Sequence, residues 1–288
     1  MRLNLSLNPY LFGCAILFLW WAVVYVVVRT RGTRENRHEF WWGSFGCGLL
    51  GFTEPLFVPE YWNPPSVLAY GRWDLESFFF CFFVGGIAGV APEWQPLRAV
   101  FLSIDRGIWS LTRVVYDWFQ RLTGAEPIRA TSEIIPSHEE MRRDNALIAA
   151  TFLGGFGFTA HLGLNVIYDA ALTCLLVGAY IAWHRPALRW QVWAGGLVFA
   201  AIYTVVLVIT GFRYPTFYKD YWNLPALSGI WLLGAPLEEY LFAFTMGAFW
   251  GPLFEAWRRE RQSEAARRGV DENGREWLPS HPTASVWL

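Results

Sequence analysis

Seven apolar stretches, at 9–28, 40–58, 75–91, 145–162, 166–183, 191–211 and 237–257, set what this chain can fold into. An apolar run of about 18 or more residues is long enough to cross the hydrocarbon layer as a helix. Inside a bilayer every backbone N–H and C=O needs an internal partner, which helices supply. The reading is therefore an all-α polytopic membrane protein with seven transmembrane helices. Composition agrees, with aromatic residues at 18% against 16% charged, and 18 tryptophans. The net charge of −1 gives no reason to expect a nucleic-acid partner. The stretch 1–8 is short and the run after it long enough to stay in the membrane, so no cleaved signal is expected. Cys14, Cys47, Cys81 and Cys174 fall inside apolar runs without paired spacing, and read as buried thiols.

The last run opens on Pro236-Leu237-Glu238-Glu239-Tyr240-Leu241-Phe242. Proline suits a first helical turn, and acids there are favoured by the helix dipole. Acids at the edge of a membrane-length run are costly, however, and usually functional. A second copy lies 162 positions upstream, at Asp74-Leu75-Glu76-Ser77-Phe78-Phe79-Phe80. It pairs Glu76 with Glu238, Phe80 with Phe242, Gly85 with Gly247 and Gly89 with Gly251. A second match, offset by 160, sets Tyr61-Trp62-Asn63 against Tyr221-Trp222-Asn223. Two blocks in one order imply an internal duplication. The expected organisation is a first three-span repeat (1–92), a linker (93–144), a connector span (145–163), a second three-span repeat (164–257) and a tail (258–288). An odd connector makes the repeats parallel, a 3+1+3 arrangement related by an axis along the membrane normal.

Of the 23 Lys and Arg, 19 fall in the 29–39 loop, the 92–144 segment, the Arg185/Arg189 turn and the tail. Only Arg2, Arg72, Arg213 and Lys219 fall on the other side. The positive-inside rule then puts the N-terminus outside and the C-terminus in the cytoplasm. Within the linker, 104–122 has helical apolar spacing with Arg106, Arg113 and Arg121 interspersed. It reads either as an amphipathic helix in the cytoplasmic interface or as a helix packed on the bundle.

Glu238 and Glu239 are neighbours about 100° apart on a helix, so they do not face one point. The pairing expected across the pseudo-axis is Glu238 with Glu76. Two carboxyls facing each other in low dielectric are not both ionised, which gives a proton donor and an acceptor in one apolar site. Helix capping at the interface is the plainer alternative. Glu54, just before Pro55, is either part of the site or interfacial. Trp62 and Trp222 read as membrane-belt tryptophans, and Asn63 and Asn223 as support for the acids. Phe79, Phe80, Phe83 and Phe242 either face lipid or line the cavity and steady a cation. Asp74, Tyr240 and Thr245, on or beside the same helices, complete the candidate set. His161, Asn165 and Asp169 are a weak metal pattern, and Gly154-Gly155-Phe156-Gly157 follows no strand, so no metal or dinucleotide site is expected.

Pro236, Glu238, Glu239, Phe242 and the Tyr221-Trp222-Asn223 loop resemble the integral-membrane lycopene cyclases of the heterodimeric and fused type. In that family each three-span domain carries Pro-x-Glu-Glu followed by aromatics. The first copy departs from it, with Asp74-Leu75-Glu76-Ser77 lacking the proline and the second glutamate, and Phe242-Ala243-Phe244 interrupts the usual Phe-Phe. The resemblance implies a cofactor-free cyclisation of a polyene end group in a bacterial or archaeal-type cell membrane. Glu238, Glu76 and Glu239 would be its catalytic residues. Its partners would be membrane lipid, a hydrophobic polyene or prenyl substrate, and other carotenoid-pathway enzymes. Rival readings are a cyclase acting on another prenyl substrate, a transporter with the same topology, and a binding protein without activity. A retinal-type receptor fits poorly, because the only lysine, Lys219, falls in a loop.

The orientation has a direct test. Cysteines placed at Asn63 and Asn223 should react with an impermeant thiol reagent on intact cells, while cysteines at Glu35 and in the tail should not.

Overall fold

The computed structural model describes residues 8–67, 69–70, 73–90, 146–150, 152–155, 163–185 and 188–267, with isolated positions between 103 and 157. Most of the expected interfacial helix at 104–122, part of the connector span and the tail beyond 267 lie outside the described residues. The chain is mostly helical: α1 (Pro9–Arg31), α2 (Arg34–Leu50), α3 (Leu75–Val90), α4 (Val166–His184), α5 (Arg189–Arg213), the short α6 (Phe217–Tyr221) and α7 (Leu237–Arg267). Three helices, Pro9–Arg31, Val166–Trp183 and Arg189–Arg213, are long and apolar enough to cross a membrane; Leu75–Val90 is apolar but shorter. Large apolar side chains point outward along them, among them Leu19 and Val26 on α1, Leu176 on α4 and Phe212 on α5. Such a surface belongs in lipid rather than water. This is a membrane protein.

Local chemistry sets the helix starts. Asn8 caps α1 through its Oδ1, which accepts from the N–H groups of Tyr10 at 2.8 Å and Leu11 at 3.3 Å, with Pro9 at the first position. Asn165 caps α4 in the same way, accepting from Ile167 N at 3.1 Å. Thr33 and Asn36 form a reciprocal capping box on α2. That helix starts earlier than the apolar run, taking in Arg34 to His38, and stops at Leu50. A 3-10 turn over Gly51–Leu56 carries Glu54 and Pro55. α7 likewise runs past the apolar segment to Arg267.

Within each half the most extensive packing joins the second helix to the third: α2 to α3, and α5 to α7. Glycines meet at both crossings. A Cβ on Gly85 would stand 2.2 Å from Gly43 O, and one on Gly247 would stand 2.4 Å from Gly195 O. Small residues at such crossings let backbones approach and dispersion contacts form, the main attraction available between helices in lipid. The first helix of each half packs on the third, α1 on α3 and α4 on α7, and α3 also meets α7.

Two hairpins precede the acid-bearing helices, where no strand was expected. β1 (Ala69–Tyr70) pairs with β2 (Trp73–Asp74), and β3 (Trp231–Leu232) with β4 (Ala235–Pro236). Their registers, Ala69 to Asp74 and Trp231 to Pro236, differ by the same 162 residues as Glu76 and Glu238. Leu233 and Gly234 turn the second hairpin, both with positive φ, as a two-residue type I′ connection requires.

Gly247→Ala and Gly85→Ala should each destabilise the protein in detergent by about 1–3 kcal/mol, the cost of overpacking a tight contact. Gly46→Ala, whose new methyl would stop at ordinary contact distance from Trp250, should be near neutral. Unfolding midpoints of the three variants check this.

Candidate functional site

Glu239 has both carboxylate oxygens hydrogen-bonded. Its Oε1 accepts hydrogen bonds from the Tyr61 hydroxyl and, at 2.8 Å, from Trp222 Nε1. Its Oε2 accepts from the Tyr203 hydroxyl at 2.8 Å. The residue is buried, and three donors in an apolar surround are what a buried acid needs to be tolerated. Burial first, and the Glu239 carboxylate second, push the Tyr61 phenol well above the ordinary tyrosine value, so Tyr61 is the donor in that pair. The donors come from different places. Tyr203 is on α5, Trp222 follows α6, and Tyr61 belongs to the loop between α2 and α3.

Glu238 turns to a separate set of partners. Its Oε1 accepts from Ser228 N at 2.8 Å and from the Tyr168 hydroxyl on the first turn of α4. The side chain is 2% exposed, and its Oε2 has no hydrogen-bond partner among the described residues. Glu76 is held as Glu238 is: its Oε1 accepts from a backbone N–H of the preceding loop, Val67 N at 2.7 Å. Both acids thus begin a helix and fold back onto the segment leading into their hairpin.

The loop after α2 and the loop after α6 clasp each other. Asn63 N donates to Tyr221 O at 2.8 Å, and Asn223 N donates to Tyr61 O at 2.9 Å. Each loop thereby gives and receives the same bond, the pattern of a two-fold contact. Trp62 and Trp222 pack beside this bridge with ring centroids 5.3 Å apart. Tyr10 meets Trp62 edge-on at 4.9 Å, and Phe80 meets Tyr203 edge-on at 5.9 Å. An aromatic layer therefore links the acid clusters of the two halves.

Some sequence candidates are brought together here and others are not. Glu239, Trp222, Trp62 and Phe80 share this layer. Asp74 caps α3, its Oδ1 accepting from Ser77 N at 2.5 Å and its Oδ2 from Ser66 Oγ at 2.6 Å. The Asn223 amide donates to Glu60 O at 3.0 Å, joining the loops rather than an acid, and Asn63 is exposed. The Tyr240 hydroxyl donates to Leu232 O, and the Thr245 hydroxyl donates back to Leu241 O on its own helix. Phe83 packs against Phe18 and Trp21, with Phe79 beside it and partly exposed; Phe242 is half-buried. Sequence reasoning missed Tyr61, Tyr168, Tyr203 and Ser228. Tyr61 had a signal, since it sits in the duplicated Tyr-Trp-Asn block, whereas Tyr203 lies unmarked inside an apolar run. The open recess bordered by Arg34, Arg37, His38, Trp41 and Trp42 is at the opposite end of α2 from Glu54.

Removing one donor from a buried carboxylate leaves it under-satisfied. Tyr203→Phe and Trp222→Phe should each lower stability by about 1–3 kcal/mol, measured as unfolding in detergent. The two together should cost less than the sum if Glu239 then takes a proton.

Residues 165–257, from the Asn165 cap of α4 through Trp257 on α7, match the lycopene cyclase family. Neither the curated proteins nor the solved structures gave a match. The matched segment contains Glu238, Glu239 and four of their partners, Tyr168, Tyr203, Trp222 and Ser228. This second three-helix unit, which carries Glu238 and Glu239, is the part of the chain that is similar to the lycopene cyclase family.

Proposed function

We propose that the protein closes the end group of a linear carotenoid, or a related isoprenoid, by proton-initiated cyclisation within the membrane, in the manner of a lycopene β-cyclase. The observation that carries this reading is the pair of adjacent buried glutamates on separate partner sets, inside the family-matched segment. Glu239 has both oxygens occupied and acts as a fixed anchor. Glu238 keeps one oxygen without a hydrogen-bond partner among the described residues, the place from which a carboxylic acid can deliver a proton.

The chemistry balances without a redox partner. A proton adds to the terminal double bond and leaves a tertiary cation. The next alkene attacks that cation, forming one carbon–carbon bond and a six-membered ring. Loss of a proton from the carbon beside the new cationic centre sets the ring double bond. Substrate and product are isomers, and the site must supply an acid, a base, apolar walls and exclusion of water. Glu238 is assigned as acid and Glu76 as its counterpart. Phe80, Trp62 and Trp222 offer π faces to the transient cation.

The same reading takes the chain as seven spans in two parallel three-span units, joined by the connector at 145–163, with the N-terminus outside. The shared hairpin register and the reciprocal loop bonds support a duplicated unit. The apolar, exposed tip of the second hairpin, Ile230 to Leu233, suits contact with lipid from which a polyene would enter.

Detergent-solubilised protein incubated with lycopene should yield ring-bearing pigment. Glu238→Gln should slow this at least about 100-fold, the usual scale for loss of a general acid, while leaving the protein folded. Glu239→Gln should slow it less. Full activity in Glu238→Gln would remove this residue from the mechanism.

A further inference from the structure

In the second half, the carboxyl of Glu239 on the third helix meets the hydroxyl of Tyr203 on the second, with the Trp222 indole beside them. The position equivalent to Glu239 in the first half is Ser77, which has no acid to offer. Three observations show what fills the place. Ser77 is fully buried, and its hydroxyl shares a hydrogen bond of 2.8 Å with the Tyr10 hydroxyl. Glu54, on the 3-10 turn that ends the second helix, is 7% exposed, and that turn packs on the start of the third helix, where a Cβ at Gly51 would stand 2.7 Å from Ser77 O. Its Oε1 has no hydrogen-bond partner among the described residues.

We infer that Glu54 is the first half's counterpart of Glu239, with acid and hydroxyl exchanged between the second and third helical elements. In the second half the hydroxyl comes from the second element and the acid from the third. In the first half the acid comes from the second element, at Glu54, and the hydroxyl from the third, at Ser77. The duplicated tryptophan joins the cluster in both: Trp222 bonds Glu239, and Trp62 packs edge-on against Tyr10, the hydrogen-bond partner of Ser77. Backbone packing allows the exchange. A Cβ at Gly51 would come within 2.6 Å of Phe78 Cα, so no side chain fits there and the turn brings Glu54 in from one helical turn further on. Each half therefore places a pair of buried acids at this end of its bundle, Glu54 with Glu76 and Glu238 with Glu239. The missing glutamate of the first motif copy is a relocation rather than a loss.

Glu54 acts in this arrangement as a positioning residue for the first acid pair, and its effect on turnover rests on the cyclisation proposed above. The test is a transposition. Glu54→Ala should lower the unfolding midpoint and reduce ring formation at least tenfold. Ser77→Glu alone should also be harmful, because it puts a second carboxyl against Glu54. The double variant, Glu54→Ala with Ser77→Glu, should be better than either single change in both midpoint and ring formation, because it rebuilds the second half's arrangement. A double variant worse than Glu54→Ala in midpoint would overturn the inference. The midpoint arm stands without any turnover. If the unaltered protein forms no ring from lycopene, the cyclisation reading fails while the reversal of sign in the midpoints still decides the position of Glu54.

Discussion

A carboxyl buried in an apolar bundle must be given hydrogen-bond donors, and that requirement organises the acid-bearing end of this protein. Leaving such a group bare costs several kcal/mol in proteins. Glu239 meets the demand with three side-chain donors, one of which, Tyr61, comes from the other half of the chain. The bond that makes this acid tolerable also ties the halves together. The reciprocal Asn63–Tyr221 and Asn223–Tyr61 backbone bonds hold the donor loops in register around it. The polar network is small, and it lies at the start of the helices, where dipoles favour negative charge.

Below this layer the structure relies on close backbone approach. The Gly43–Gly85 and Gly195–Gly247 contacts bring the second and third helices of each half together. At the far end of the same crossings the side chains that meet are the acid and its hydroxyl, so the glycines set the distance across which Tyr203 reaches Glu239. Packing and chemistry are coupled through two rigid helices, and a clash at Gly247 would be felt two turns away at Glu239.

Much of this was legible in the sequence, and the rest was hidden for identifiable reasons. Apolar run length located α1, α4 and α5 closely, because membrane-length hydrophobicity is a strong and redundant signal. It misplaced the ends of α2, where Thr33 and Asn36 start the helix inside a charged stretch and Gly51 with Pro55 tightens its end into a 3-10 turn. The hairpins have two-residue strands, too short for any alternation to show. The acids were visible because charge is conspicuous in an apolar run. Their donors were not: a tyrosine such as Tyr203 looks like any other aromatic until a carboxyl is seen opposite it. The separation of Glu238 from Glu239 followed from helical geometry alone, but which of the two would be saturated with donors depended on loops distant in sequence.

The central claim, that a buried carboxylic acid starts a redox-neutral ring closure, is tested most directly by running the reaction with lycopene in deuterium oxide. A proton delivered to the terminal alkene becomes a carbon-bound hydrogen of the ring and does not wash out. Mass spectrometry of the cyclic product should therefore show one solvent deuteron for each ring formed, with no oxidant or reductant added. A cyclic product carrying no deuterium would contradict the account.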